Sequence, residues 1–197
     1  MTSRSEQTRN RIYQAALDEF ARYGVAGARV DRIAREAQAN KQAIYLYFGD
    51  KETLFATVLK RSLGDLAAAV PPPTADGEVD VTDYLDRLFT YHQNHPEVTR
   101  LLLWEALEFT DQTVPDEESR RAHYQQKAAD LNSVRSAESE QISAIDAPTL
   151  LLIFTGLVGW PMAVPQVRRM IVGDDEGALE RVKASVIAAA VAIAGQK

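Results

Sequence analysis

Apolar residues recur at intervals of three and four along almost the whole chain, which is the spacing of an amphipathic α-helix. Ile12, Ala16, Phe20 and Tyr23 form the first apolar stripe, and Gly24 follows it as a C-cap. The sequence offers no convincing pair of strands and no internal repeat. The pattern therefore predicts an all-α chain of about nine helices.

Two further short stripes follow within the first 48 residues, over 30–37 and 44–48, with Gln38, Ala39 and Asn40 between them. Helices so short and so close must cross steeply to bury their apolar sides, and the first helix supplies the surface on which they pack. This spacing predicts a helix-turn-helix, with Asn40 as the N-cap of the third helix. Taken alone, it leaves open a three-helix corner with no role in DNA binding.

The later part of the chain is also predicted to be helical. A fourth helix, capped by Asp50, is expected to run to about Ala69, where the run Pro71–Gly77 stops it in an exposed loop. The remaining periodicity predicts helices that begin at Val81 and Pro96, a long polar helix over about 116–143, a very apolar helix that opens at Asp146–Pro148 and continues towards Gly173, and a last helix to about Ala194.

Composition excludes several classes of function. The 197 residues include no cysteine, which excludes a disulfide scaffold, a cysteine zinc site, an iron–sulfur cluster and a cysteine nucleophile. His92 and His95 lie three residues apart, but no third metal ligand is indicated, so we interpret them as ordinary surface histidines. Motifs of serine hydrolases, P-loop proteins and zinc proteases are missing. We expect no cofactor, no metal and no enzymatic activity.

The sequence contains no segment typical of a signal peptide or a membrane span. Its first residues are polar, and its most apolar stretch, Thr149 to Val167, is interrupted by two glycines and two prolines. A membrane-spanning helix needs about 20 consecutive apolar residues. We therefore expect a cytoplasmic protein that has no membrane partner.

The net charge of −6 conceals an asymmetry between the two ends of the chain. Residues 1–61 contain 11 Lys and Arg against 7 Asp and Glu, whereas residues 62–197 contain 11 against 21. A basic N-terminal segment followed by an acidic remainder is typical of a nucleic-acid-binding domain joined to a domain with a different function. The asymmetry favours DNA binding but is also common by chance.

The segment from Thr8 to Leu54 resembles the DNA-binding head of the TetR family of transcriptional repressors. The matching elements are Ile12-x-x-Ala15-Ala16, Phe20-x-x-x-Gly24, Val30-x-x-Ile33-Ala34-x-x-Ala37 and Ile44-Tyr45-x-Tyr47-Phe48-x-x-Lys51-x-x-Leu54. The resemblance implies a helix-turn-helix DNA-binding domain over residues 1–60. It also implies a helical regulatory domain, for ligand binding and dimerisation, over residues 61–197.

Two positions depart from the family pattern. Gln38-Ala39-Asn40 stands in the turn where family members usually have Gly-Val-Ser. A left-handed residue there would cost a non-glycine residue about 1–2 kcal/mol. Ala28 and Arg29 stand where a Thr or Ser usually caps the second helix, so a hydroxyl cap is lost and an arginine that can reach a phosphate is gained.

The resemblance makes the third helix the recognition helix, which would lie in the major groove. Ile44 and Phe48 are expected to face inward. Gln42 suits adenine, Lys41 suits guanine or a phosphate, and Ala43 suits a thymine methyl group. With the phosphate contacts included, the predicted DNA-binding residues are Arg29, Lys41, Gln42, Ala43, Tyr45, Tyr47 and Lys51.

The regulatory domain is expected to supply a dimer interface and an effector pocket. TetR-like proteins dimerise through a four-helix bundle, which here would combine the apolar helix from Ala147 with the last helix. The predicted interface residues of the last helix are Leu179, Val182, Val186, Ala189, Ala190 and Ile193. The candidate pocket residues are Tyr84, Leu88, Tyr91, Leu103, Trp104, Leu107, Phe109, Phe154, Leu157 and Trp160.

Such an apolar pocket favours a largely hydrophobic small molecule. No polar anchor can be chosen from the sequence, although Arg100, Glu105 and Glu108 lie on a suitable helix. The predicted function is a repressor that binds a palindromic operator as a homodimer and is released by that molecule. The alternatives are an all-α binding protein or enzyme with an incidental helix-turn-helix, and a family member that activates or that responds to a protein.

Overall fold

The computed structural model describes residues 4–73, 80–110, 113–134 and 145–194. These residues contain helices and no strands, which confirms the predicted all-α class. The helices are α1 (Arg4–Gly27), α2 (Val30–Glu36), α3 (Lys41–Phe48), α4 (Lys51–Ala69), α5 (Val81–Asn94), α6 (Pro96–Glu108), α7 (Glu117–Val134), α8 (Ala147–Ala163), α9 (Pro165–Val172) and α10 (Ala178–Ala194).

The apolar segment predicted as one helix contains two. α8 ends at Ala163, and Val164 leaves the helical region with φ −126° and ψ 64°. Pro165 is the reason, because a proline disfavours the helical conformation of the residue before it and then suits the first turn of a new helix. This break gives ten helices in the described residues instead of the expected nine.

The bent pair of α8 and α9 also bears on the question of membrane spans. No single helix among the described residues is long and apolar enough to cross a membrane. α8 and α9 would pass that test only together, and they are bent by 87° at the break between them.

The middle of the chain agrees with the expected elements where it is described. α7 covers most of the predicted polar helix, and the rest of that prediction, residues 135–143, lies outside the described residues. Helix α4 ends before the proline run, and residues 74–77 of the expected loop are likewise outside them. Pro96 begins α6, as predicted.

The chain divides into two compact units. Unit 1 contains residues 1–65 and 96–116, and unit 2 contains residues 66–95 and 117–197. Unit 1 therefore combines α1–α3 and most of α4 with α6, a helix that the predicted division at residues 60/61 assigns to the regulatory domain. That functional division stays a prediction.

The core of unit 1 is formed by the inner stripes of its helices. Phe20, Ile33, Ile44 and Phe55 are fully or almost fully buried. The rings of Phe20 and Phe55 meet edge to face at 5.3 Å, and Phe109 stacks on Phe55 at 6.1 Å. Each such side chain contributes about 1.5–3 kcal/mol by leaving water, so this core fixes the orientation of the short helices α2 and α3.

The core of unit 2 is formed by α5, α7, α8 and α10. Leu85, Phe89, Leu150 and Phe154 are completely buried in it. Lys183 of α10 adds a polar link to α5, because its Nζ lies 2.6 Å from Asp86 and 2.9 Å from the Thr90 hydroxyl. α10 is therefore held against the core of its own chain.

Candidate nucleic-acid interface

α3 begins at a well-formed cap. The Asn40 side chain accepts a hydrogen bond from the Ala43 N–H at 2.7 Å, which confirms the predicted N-cap. Ile44 and Phe48 are buried in unit 1. The helix is thus fixed at its first turn and along its inner face, and its other face is left exposed.

α2 lacks a side-chain cap at Arg29, as expected from the sequence. The buried carboxylate of Glu19 on α1 instead holds the start of α2, since its Oε1 accepts the Arg29 N–H at 2.8 Å and the Arg32 Nε–H at 2.7 Å. Sequence reasoning missed Glu19 because its partners are 10 and 13 residues further along the chain. The Arg29 side chain remains exposed beside this network.

The turn between α2 and α3 contains the expected left-handed residue. Gln38 has φ +50°, a conformation that costs a non-glycine residue about 1–2 kcal/mol. Two hydrogen bonds hold the turn: the Ala39 N–H donates to the Ala34 carbonyl at 2.9 Å, and Arg11 Nε donates to the Ala37 carbonyl at 3.0 Å. These two bonds tie the residues on either side of Gln38 to α2 and α1.

The outer face of α3 presents an amide, an aromatic and an aliphatic side chain. Gln42 is exposed and makes no side-chain hydrogen bond to the described residues, while Tyr45 is 50% and Leu46 81% exposed. Leu46 was not among the predicted DNA-binding residues. The helical period could have found it, because it lies midway between the inward-facing Ile44 and Phe48.

Lys41 is exposed at the start of α3 and forms an ion pair with Asp31 of α2. The hydrogen bond from Lys41 holds the pKa of the Asp31 carboxyl below its usual value. Both side chains are about half exposed, so the pair orients Lys41 but is worth little by itself.

The other predicted contact residues are half-buried. Ala43 packs against the core of unit 1, and the Tyr47 hydroxyl lies 3.0 Å from Ser5 Oγ. Lys51 Nζ donates to the carbonyls of Ala26 and Ala28 at 3.4 and 3.5 Å. Lys51 therefore holds the connection between α1 and α2, a role that the sequence did not indicate.

α6 is attached to the end of α1 by polar side chains. The helical geometry of α1 breaks at Gly24, which has φ +69° and confirms the predicted stop. The Glu108 carboxylate accepts the N–H groups of Val25 and Ala26 at 2.9 and 3.0 Å. Arg100 Nε donates to the Ala21 carbonyl at 2.5 Å. These two α6 residues, considered from the sequence for a ligand pocket, fix the end of α1.

The ten candidate pocket residues divide between the two units. In unit 1, the Trp104 indole donates to the Ala21 carbonyl at 3.3 Å, and Phe109 packs on Phe55. Leu103, Leu107 and Trp160 are exposed. The candidates that are buried or half-buried in unit 2 are Tyr84, Leu88, Tyr91, Phe154 and Leu157.

The predicted interface residues of α10 also differ in their surroundings. Val186 and Ala190 are buried inside their own chain, and Ala189 is exposed. The half-buried members are Leu179, Val182 and Ile193. On α8, Leu152 and Trp160 are 71% and 63% exposed and share one face of the helix.

The interpretation of His92 as a surface residue was wrong. α5 continues to Asn94, so His92 stays on the inner face of the helix and is buried. His95 stacks on Tyr91, with ring centroids 4.3 Å apart. The described residues contain no group of three or more His, Cys, Asp or Glu that could hold a metal ion.

Two family profiles match the chain. Residues 12–58 match the profile described as bacterial regulatory proteins of the tetR family, and residues 80–191 match the C-terminal domain of tetracyclin repressor-like proteins. The HTH-type transcriptional repressor SCO4008 of Streptomyces coelicolor is 43% identical over 94% of each chain. The HTH-type transcriptional repressor NicS of Pseudomonas putida is 33% identical over 52% of this chain and 50% of its own.

Solved structures share the fold. The crystal structure of SCO4942 from Streptomyces coelicolor superposes with a TM-score of 0.71 at 28% identity, covering 94% of this chain and 97% of that one. A TetR-like transcriptional regulator from Rhodococcus sp. RHA1 has a TM-score of 0.62 at 24% identity over the full length of both chains. With the capped α3, the α2–α3 turn and both profile matches, the chain belongs to the TetR family of transcriptional regulators.

Proposed function

We propose that this regulator is a repressor that binds a palindromic operator as a homodimer and is released by a small molecule. The observation that carries the proposal is the outer face of α3, where Gln42, Tyr45 and Leu46 are exposed on a helix capped by Asn40. Because the backbone of α3 is already fixed, binding does not have to order it. Repression, rather than activation, is supported by the name of the relative that is 43% identical.

Sequence readout is assigned to Gln42 and Leu46. The Gln42 amide suits the N6 and N7 atoms of adenine, and an exposed leucine suits the methyl group of thymine in the major groove. Lys41 and Arg29 are assigned to phosphates or, for Lys41, to guanine. Tyr45 suits a phosphate contact, which sets register without reading sequence.

The homodimer is proposed to form on the exposed face of α8. Leu152, Gly156 and Trp160 follow one another at intervals of four and are all exposed. A Cβ atom at Gly156 would meet nothing within 4 Å, which leaves space for close approach by a second copy. The exposed Ala189 and half-buried residues of α10 complete the proposed four-helix interface. A two-fold dimer supplies recognition helices about 34–36 Å apart.

Ligand release is proposed to act by population shift. The dimer has one form whose recognition helices are correctly spaced for DNA and another whose spacing is wrong. A ligand that binds the second form more tightly than the first shifts the population away from the DNA-bound form, by the difference between the two affinities. α4 carries the boundary between the units at residues 65/66, and only His95 separates α5 from α6. The chain crosses between the units again at residues 116/117, so a change in unit 2 has three covalent routes to unit 1. In unit 1, Glu108 and Arg100 of α6 hold the end of α1.

The test uses the DNA upstream of the protein's own gene. The proposal predicts protection of a two-fold symmetric site whose half-sites are about one helical turn apart. The Gln42→Ala variant should lose the protection, whereas the control Gln93→Ala, an exposed residue of α5, should keep it. Binding without preference over random DNA would instead favour a binding protein or enzyme with an incidental helix-turn-helix.

A further inference from the structure

The start of α1 lies against the end of α3. Ser5 Oγ lies 3.0 Å from the Tyr47 hydroxyl oxygen, and the Arg9 guanidinium lies over the Phe48 ring, 5.5 Å from its centroid. Ser5 and Arg9 are four residues apart and therefore share one face of α1. These contacts place a guanidinium group of α1 beside the last two residues of the helix whose outer face is proposed to read DNA.

The same region of unit 1 contains an open groove of about 370 Å³. Arg9 and Arg61 line it together with the rings of Tyr13 and Phe48 and the carboxylate of Glu6. Two guanidinium groups against one carboxylate give this lining a net charge of +1. The charge favours an anionic partner, and the position beside α3 favours the backbone of DNA.

The two arginines of the groove differ in their partners. Arg61 Nη1 donates to Asn10 Oδ1 at 3.0 Å, and its guanidinium lies 4.1 Å from the centroid of the Tyr13 ring. Arg9 is exposed, and among the described residues none accepts a hydrogen bond from it or pairs with its charge. The Phe48 ring supports the Arg9 guanidinium from one side and leaves its N–H groups available to an anion.

The dimensions of α3 place this guanidinium near a DNA strand. α3 contains eight residues and is therefore about 12 Å long, close to the width of the major groove. With the first turn of α3 at the base edges, its last residues lie at the rim of the groove, where the phosphates of one strand pass. Arg9 packs on the last residue of α3 and therefore lies beside that strand.

We propose that Arg9 binds a DNA phosphate at the rim of the major groove, which makes α1 a part of the DNA interface. A guanidinium group can donate two parallel hydrogen bonds to one phosphate, and such a contact sets the register of α3 without reading sequence. The inference rests on the proposed binding of DNA through α3, and it adds a helix that was otherwise assigned only to the core of unit 1.

Salt dependence on random duplex tests the charge of Arg9 in the full-length protein. Each neutralised phosphate contributes about −0.9 to the log–log slope of affinity against salt, so Arg9→Gln should flatten the slope by about 0.9 for each bound protomer. Arg9→Lys retains the charge and should retain most of the slope.

The matched control is Arg22→Gln. Arg22 is also exposed on α1, and its guanidinium lies 6.0 Å from the centroid of the Tyr23 ring. It lines a different groove, in which three carboxylates balance three guanidinium groups. Arg22→Gln should therefore keep the wild-type slope.

Methylphosphonate substitution then identifies the phosphate. On the preferred site, single phosphates of one half-site are replaced by neutral methylphosphonates, and each affinity is divided by that for the unmodified duplex. The wild type should lose about 10-fold at the contacted position. Arg9→Gln should lose almost nothing there and as much as the wild type at the other positions. Because each ratio refers to one protein, a smaller folded fraction of a variant does not change it.

Three results would overturn the proposal: a wild-type salt slope for Arg9→Gln, an equal flattening by Arg22→Gln, or an Arg9→Gln variant that retains every phosphate sensitivity of the wild type. The last result would mean that Arg9 only supports the packing of α1 on α3. A wild type that binds random duplex but has no preferred site would contradict the proposed operator binding, while the salt slopes would still decide the role of Arg9.

Discussion

Gly24 and Glu108 approach each other so closely that a Cβ atom on residue 24 would lie 2.3 Å from Oε1 of Glu108. The same atom would lie 2.7 Å from the Trp104 ring, and the φ of +69° is itself unfavourable for any other residue. The glycine therefore permits both the turn at the end of α1 and the contact of α6 with it. This contact lets the Glu108 carboxylate reach the backbone of Val25 and Ala26.

Gly24→Ala should strongly destabilise unit 1. The left-handed conformation costs alanine about 1–2 kcal/mol, and displacement of Glu108 adds the loss of charge-assisted hydrogen bonds, for a total of about 3 kcal/mol. The measurement is the free energy of unfolding in urea. The control is Gly64→Ala in α4, where a Cβ atom meets nothing within 4 Å and alanine favours the helix. Equal effects of the two substitutions would contradict this account of Gly24.

The start of α10 should show a pH-dependent contribution to stability. Two charged hydrogen bonds from Arg181, at 2.8 and 2.7 Å, lower the pKa of Asp175 from 3.8 to about 2. Because the folded-state pKa is depressed, the stabilisation is fully present above pH 4 and is lost as the pH falls towards 2. The stability difference between the wild type and Asp175→Asn should follow this window. A constant difference from pH 7 to pH 2 would contradict the prediction.

Salt dependence should distinguish Arg29 from Lys51. DNA affinity should fall steeply between about 50 and 200 mM salt, with a log–log slope near −0.9 for each neutralised phosphate. Arg29→Ala should reduce that slope by about one unit and leave folding unchanged, because the side chain is exposed. Lys51→Ala should differ from Arg29→Ala by lowering thermal stability, since Lys51 donates hydrogen bonds to the Ala26 and Ala28 carbonyls. If the slope for Arg29→Ala equals that of the wild type, Arg29 does not contact a phosphate.

A charge on the exposed face of α8 should separate the dimer without unfolding the chain. Trp160→Glu places the charge at the proposed interface, where it would be buried without a partner. Sedimentation should then show a folded monomer with much weaker operator binding. Met170→Glu, at an exposed apolar position of α9, is the control and should remain dimeric. A dimeric Trp160→Glu would exclude this face. Val186 is unsuited to the test, because it is already buried in its own chain.

Local rules predicted the parts of the interface that depend on neighbouring residues. The Asn40 cap, the stop at Gly24, the left-handed Gln38 and the inward Ile44 each follow from a few adjacent positions, and the structure confirms them. The helical period of α3 also indicates that Leu46 faces outward, although Leu46 was not among the predicted contact residues.

Contacts between distant positions could not be predicted from the sequence. Glu108 reaches the backbone of residues 25 and 26, and Arg11 reaches residue 37, from helices whose packing is not encoded in any local pattern. The burial of His92 and of Lys127 likewise depends on which helices cover α5 and α7. The break at Val164 was a different case, because Pro165 indicated it locally.

The central claim is that the outer face of α3 reads DNA sequence, and Gln42 tests it most directly. Affinities of the wild type and of Gln42→Ala are measured at one salt concentration on the best upstream site and on random duplex of equal length. The account predicts a loss of about 1–3 kcal/mol on the preferred site, with affinity for random DNA unchanged. Equal losses on both duplexes, or a wild type without a preferred site, would contradict it.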